Sequence, residues 1–117
     1  MIINKTNGKI IANNAVICKS FFSKAKGLMF KRQFVDCGYV FEFRKEIIGS
    51  IHMLFVFFPI DIVWLDKENR VIEIKENIKP FTPSIIPRNK CKSFIEIPVN
   101  TIKNKNIKIN DKIEINL

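Results

Sequence analysis

The stretch IDIVWL, residues 60–65, is apolar on both sides of an extended chain. Successive side chains of a strand point to opposite faces, so Ile60, Ile62 and Trp64 share one face while Asp61, Val63 and Leu65 share the other. A strand with this pattern is central in its sheet. Asp61 is then the residue to explain, because burying an ionised carboxylate without a partner costs several kcal/mol. It must be paired or neutral, and His52, Arg32 or the backbone amides of the GLMF segment, residues 27–30, are the expected partners.

Short strand-like runs separated by turn residues outnumber helical patterns along the rest of the chain. GKIIANNAVIC, residues 8–18, reads as a hairpin bent at Asn13 and Asn14. Ser20 precedes FFSKAKGLMF, residues 21–30, where Phe21, Ala25 and Leu28 recur at helical spacing, so a short amphipathic helix capped by Ser20 is expected. GYVFEF alternates cleanly, with Tyr39, Phe41 and Phe43 on one face and Val40 and Glu42 on the other. EIIGSIHM reads as a further extended piece that bends at Gly49. DKENRVIEIKENI makes a turn with Asn69 in the left-handed region and then a strand, in which Val71, Glu73 and Lys75 alternate against Ile72, Ile74 and Glu76. KPFTPSIIPR is a long loop, since Pro80, Pro83 and Pro87 each remove a ladder donor, and it suits a lid or rim. CKSFIEIPV supplies another strand, NTIKNKN a helical turn, and IKINDKIEINL a last strand after a turn at Asn110 and Asp111.

A chain of 117 residues makes one domain, taken as residues 1–117, and is long enough to bury a real core. The opening segment interrupts its apolar residues with Asn, Lys and Gly, unlike a secretory signal, and Met53 to Phe58 is far too short to span a bilayer. No membrane association is expected, and a cytoplasmic location is. Cys18, Cys37 and Cys91 show no CxxC spacing, so reduced thiols are expected, with no metal and no cofactor. The formal net charge of +9 favours weak attraction to polyanions. No helix-turn-helix, zinc-finger or RNP-like pattern accompanies the lysines, so sequence-specific nucleic-acid recognition is not expected.

KGLMFKR, residues 26–32, resembles the GLMxR signature of the DUF192 proteins, a widespread prokaryotic family without an assigned activity. IHMLFVFFPIDIVWLDKENRVIEI, residues 51–74, is similar to that family's PxDxxFxDxxGxV core, and KSFIEIPVNTI and IKINDKIEI are similar to its ELPAGTI and IKxGDxI endings. The resemblance covers nearly the whole chain. It implies an all-β fold, a compact barrel or jelly-roll-like sandwich with one or two short helices. Asn69, Asn100 and Asn110 stand where the family pattern has glycines, and asparagine also enters the left-handed region, so the turns should survive. The Phe-rich MLFVFF is more apolar than the family's usual run.

These features favour a binding module over an enzyme. His52 and Asp61 would make a base and its orienter, but a nucleophile is missing unless Ser50 or a cysteine is brought to them, and no GxSxG elbow exists. An apolar pocket near His52 and Asp61 for a small ligand or peptide is the expected site, with His52, Met53, Asp61, Arg32 and Met29 as candidate ligand-binding residues. A structural clamp through Asp61, an interaction role without a pocket and non-specific nucleic-acid binding through the basic surface are the alternatives. The oligomeric state is open.

Overall fold

A computed structural model describes residues 1–18, 35–49, 58–82 and 84–117. Strands β1 (Ile2–Asn4), β2 (Ile10–Ala12), β3 (Asn14–Cys18), β4 (Cys37–Ile47), β5 (Ile60–Leu65), β6 (Val71–Ile78) and β7 (Cys91–Pro98) are followed by a short helix α1 (Thr101–Asn104) and strand β8 (Ile113–Ile115). They form a three-stranded sheet, order β2-β1-β8, and a five-stranded sheet, order β3-β4-β7-β5-β6. The fold is all-β with one short helix among the described residues. Of the two architectures expected, the sandwich is the one observed: the sheets pack face to face and no closed ring of strands forms among the described residues.

Strand β5 is interior, paired antiparallel with β6 on one side and β7 on the other, and all six of its residues are buried. Its alternation divides the core in two. Val63 and Leu65 join Val40, Ile95 and Ile97 on the inner face of the large sheet, where Ile2, Ile11, Ala12 and Ile113 of the small sheet and Ile102 of α1 meet them. Ile60, Ile62 and Trp64 join Tyr39, Phe41 and Phe94 on the opposite, aromatic face, which Ile85 of the proline-rich loop also covers. Each such side chain contributes roughly 1.5–3 kcal/mol by leaving water. The alternation read in GYVFEF is therefore observed, with Tyr39 and Phe41 on the aromatic face and Val40 on the inner one.

Three asparagines carry the turns. Asn69, Asn100 and Asn110 have φ of 61°, 72° and 76°, the left-handed conformation expected of them. Asp66 shapes the turn before β6 by accepting the backbone amides of Glu68 and Arg70 through Oδ1, each at 2.9 Å.

Other expectations are corrected. Residues 8–18 do not form a hairpin: β2 belongs to the small sheet, and β3 turns away at Asn13 to run parallel to β4 in the large one. Asp36 holds that exit by accepting from the Asn13 amide at 2.9 Å and from its side chain at 2.7 Å, and these bonds keep its carboxyl below the usual carboxylate range. Strict alternation fails in β6, where register shifts opposite Ile60/Ile62 and Trp64/Leu65 place Val71 and Ile74 beside the inner core. The Glu46–Ile47 part of EIIGSIHM continues β4 and does not start a new strand. β1, absent from the expected elements, pairs with both β2 and β8. The helix expected after Ser20 lies outside the described residues.

Candidate functional site

Asp61 points to the inner face and is fully buried. Its Oδ1 accepts the backbone amide of Asn77 at 2.8 Å and its Oδ2 the backbone amide of Ile102 at 3.0 Å. Both donors have local causes. Asn77, at φ 50°, sits where the β5–β6 register shifts and its amide leaves the ladder. Ile102 is the second residue of α1, whose cap residue Asn100 supplies no side-chain hydrogen bond. Asp61 fills both deficits and ties β5, β6 and α1 together. The partners are thus backbone amides, as one expected alternative had it, but they come from Asn77 and Ile102 instead of the GLMF segment.

His52, Met53, Arg32 and Met29 lie outside the described residues, so of the expected ligand-binding set only Asp61 has a described position. A second buried tie, at the far end of the inner core, joins the chain's two ends: Asp111 Oδ2 accepts from Asn4 Nδ2 at 2.7 Å and from the Lys108 amide at 2.8 Å. Asn4 Oδ1 in turn accepts the Thr6 amide at 3.0 Å.

The opposite face carries a different kind of polar group. Glu96 of β7 stands between Tyr39 on β4 and Ile62 on β5, is 7% exposed, and its carboxyl makes no hydrogen bond or ion pair with a described residue. Burial alone pushes this carboxyl up to about 8, so Glu96 is largely protonated at neutral pH. Trp64, opposite Phe94 on the same face, is fully buried, and its indole Nε1–H has no acceptor among the described residues. The strand register makes Trp64 and Glu96 diagonal neighbours, about 7–8 Å apart by strand geometry. Tyr39, Phe41 and Phe94 belong to the same face, with Phe94 stacked on Phe41 at 4.7 Å between centroids and tilted against Phe43 at 5.9 Å.

The sequence reading missed Glu96 although a signal was present. In FIEIP it is the one acid inside a run that is apolar on both faces, the pattern that singled out Asp61 in IDIVWL. Asp61 is satisfied by two amides, whereas the Trp64 indole is buried without an acceptor among the described residues and the Glu96 carboxyl is held in a nearly water-free setting. The thiols are quieter: Cys18 and Cys91 are buried and Cys37 half-buried. Burial, with help from Glu73 and Glu46, pushes the Cys91 thiol up to about 11, so it is an unreactive thiol at neutral pH. Among the described residues no group of three His, Cys, Asp or Glu side chains is placed to hold a metal ion. No described helix is long and apolar enough to cross a membrane.

The model of the family DUF192, "Uncharacterized ACR, COG1430", matches residues 2–115. The chain belongs to the DUF192 family. Curated relatives include a UPF0127 protein of Thermococcus sibiricus, 34% identical over 116 residues, covering 97% of this chain and 73% of that protein. A UPF0127 protein of Pyrococcus horikoshii is 29% identical over 114 residues, with 97% of each chain covered. Two solved structures share the fold of this DUF192 chain. A protein of unknown function from Novosphingobium aromaticivorans has a TM-score of 0.89 at 22% identity, covering 97% of this chain and 82% of that one. A putative transcription regulator from Sinorhizobium meliloti has a TM-score of 0.84 at 21% identity, covering 97% and 88%.

Proposed function

We propose that this DUF192 domain is a cytoplasmic binding module for a small ligand, and that its site is the aromatic face of the large sheet around Glu96 and Trp64. The observation that carries this reading is the placement, on one aromatic surface, of a fully buried indole donor that finds no acceptor among the described residues and, diagonal to it, a carboxyl that is 7% exposed. Binding pockets combine mostly apolar walls with a few convergent polar groups, and a buried donor left unsatisfied costs roughly 1–3 kcal/mol that a ligand acceptor recovers. Asp61 lies on the other face of β5, where it ties β5, β6 and α1 together, and the site we propose is on the Trp64 side of the same strand. The ligand-binding roles expected for His52, Met53, Arg32 and Met29 rest on sequence and are tested by substitution; His52→Ala should weaken the ligand while leaving the unfolding midpoint nearly unchanged.

The chain has a single tryptophan, so its indole Nε1–H gives one resonance in a nitrogen-proton correlation spectrum. A panel of small acids, amines, alcohols and amides is titrated against labelled protein. The reading expects at least one solute to move that resonance saturably. A panel that leaves it unmoved at millimolar concentrations would falsify the reading.

A further inference from the structure

We propose that the Glu96–Trp64 face takes a small organic ammonium compound carrying an oxygen acceptor, of the amino-alcohol or amino-amide class. This inference rests on the binding reading above and names its ligand chemistry. A carboxyl buried among Tyr39, Phe41, Phe94 and Trp64 lies where an ammonium group gains twice, from the carboxylate as counter-ion and from the negative faces of the rings. The indole Nε1–H is a donor only, so it selects an oxygen acceptor on the same ligand. The diagonal placement of the two residues sets the reach between ammonium and oxygen at a short aliphatic chain.

The described groups that share this face with Glu96 do not supply the cation. Tyr39 stands directly across on β4 and Cys37 two residues from it, Ile62 opposite on β5 carries no charge, and Glu73 and Lys75 lie one strand further away on β6. On β7 itself, Lys92 directs its ammonium to the backbone carbonyl of Phe43. Entry of an ammonium ligand therefore ionises Glu96: the protonated carboxyl and the ammonium ion become a carboxylate–ammonium pair, and one proton leaves to the buffer.

The test uses 4-aminobutanol, 1,4-butanediol and 4-hydroxybutanoate, matched in length and differing in charge, at pH 7. The proposal expects 4-aminobutanol to saturate the Trp64 indole shift at least ten-fold more tightly than the diol, with no saturation by the anion. Calorimetry in phosphate and in MOPS, a sulfonate-bearing buffer outside the proposed ligand class, should show about one proton released per ammonium bound, since the two buffers differ in ionisation heat. Glu96→Gln keeps the shape and removes the charge, so it should erase both the preference and the proton release; the wild-type comparison stands even if that variant does not fold. Tighter or equal binding of the diol or the anion overturns the ammonium assignment while leaving the binding reading intact. If none of the three moves the resonance, the ammonium assignment is overturned, and the wider panel decides the binding reading separately.

Discussion

Two acids lie on adjacent strands of one sheet, and their surroundings give them opposite consequences for stability. Asp61 accepts two backbone amides, one released by the register shift in β6 and one from the first turn of α1. Asp61→Ala should therefore lower unfolding free energy by about 3 kcal/mol, since each stranded amide costs roughly 1–3. Asp61→Asn, which keeps one oxygen acceptor, should lose about half as much. Urea unfolding of the two variants checks this, and a loss below about 1 kcal/mol for Asp61→Ala would mean that the two hydrogen bonds do not support the fold. Glu96 has the reverse sign. Its folded-state value is pushed up to about 8 by burial, against roughly 4.3 for an unperturbed glutamate. Its contribution is fully present below the unfolded value and is lost as pH rises through the folded one, because the unfolded chain ionises first. Wild type should thus lose stability relative to Glu96→Gln between about pH 5 and pH 8, by at most about 1.4 kcal/mol per pH unit, and level off above. Paired unfolding curves at pH 5, 6.5 and 8 decide it; a flat difference across that range would show that Glu96 is already ionised in the fold.

At the level of elements, the strands were legible wherever hydrophobic period and turn chemistry agreed. GYVFEF and IDIVWL sit with the expected faces in β4 and β5, CKSFIEIPV forms the expected strand as β7, and Asn69, Asn100 and Asn110 occupy the left-handed turns that asparagine permits. What sequence did not reveal was where pairing partners change. The chain from Ile10 to Cys18 looks like a hairpin because both halves are strand-like around two asparagines, yet β3 pairs with β4, a long-range parallel choice that no local pattern encodes. The same holds for the shift at Asn77, which exists to align β6 with β5 and is visible only once the two are paired. It also explains why Asp61 was recognisable as a buried acid while its partners were not: an acid in an apolar run is local, but the amides of Asn77 and Ile102 are 16 and 41 residues away. Gly38 shows how closely the layers meet. A Cβ there would lie 2.3 Å from Cδ1 of Ile2 and 3.3 Å from Cγ2 of Ile95, and Ile2 is fully buried with little room to withdraw. Gly38→Ala should overpack the sandwich and cost about 1–3 kcal/mol. Thermal unfolding measures it, and Gly38→Ala combined with Ile2→Val should recover part of the loss if the clash is the cause; no recovery would place the strain elsewhere.

For the whole molecule the net charge of +9 includes one group of lysines that comes from both ends of the sequence. Lys5 and Lys9 stand about 100 residues from Lys103, Lys105, Lys108 and Lys112 in sequence, and the fold joins the two segments, with the Lys5 amide donating to the Lys112 carbonyl at 2.7 Å. Asn7 docks its side-chain amide on the carbonyls of Lys105 and Asn106, at 3.0 and 3.2 Å, and β1 pairs with β8. The acids of these segments are mostly committed: Asp111 is buried in its tie to Asn4, and Glu114 pairs with Lys5 at 3.4 Å on an exposed surface, where such a pair is worth little. A basic group of this kind neutralises phosphates by charge alone, because no described helix presents a reading face and α1 has four residues. Nucleic-acid binding should therefore be micromolar or weaker at physiological salt and indifferent to sequence. Its logarithm should fall linearly with the logarithm of salt concentration as counterions are released. Lys103→Glu with Lys108→Glu, both at exposed positions, should reduce the salt slope by about one unit for each phosphate no longer neutralised, without altering stability by more than about 0.5 kcal/mol. Fluorescence anisotropy on two duplexes of unrelated sequence, across salt from about 50 to roughly 200 mM, reads the affinity and its slope. Sub-micromolar binding that distinguishes the duplexes would show that these segments recognise bases, and the charge would then have to be read as part of a specific interface.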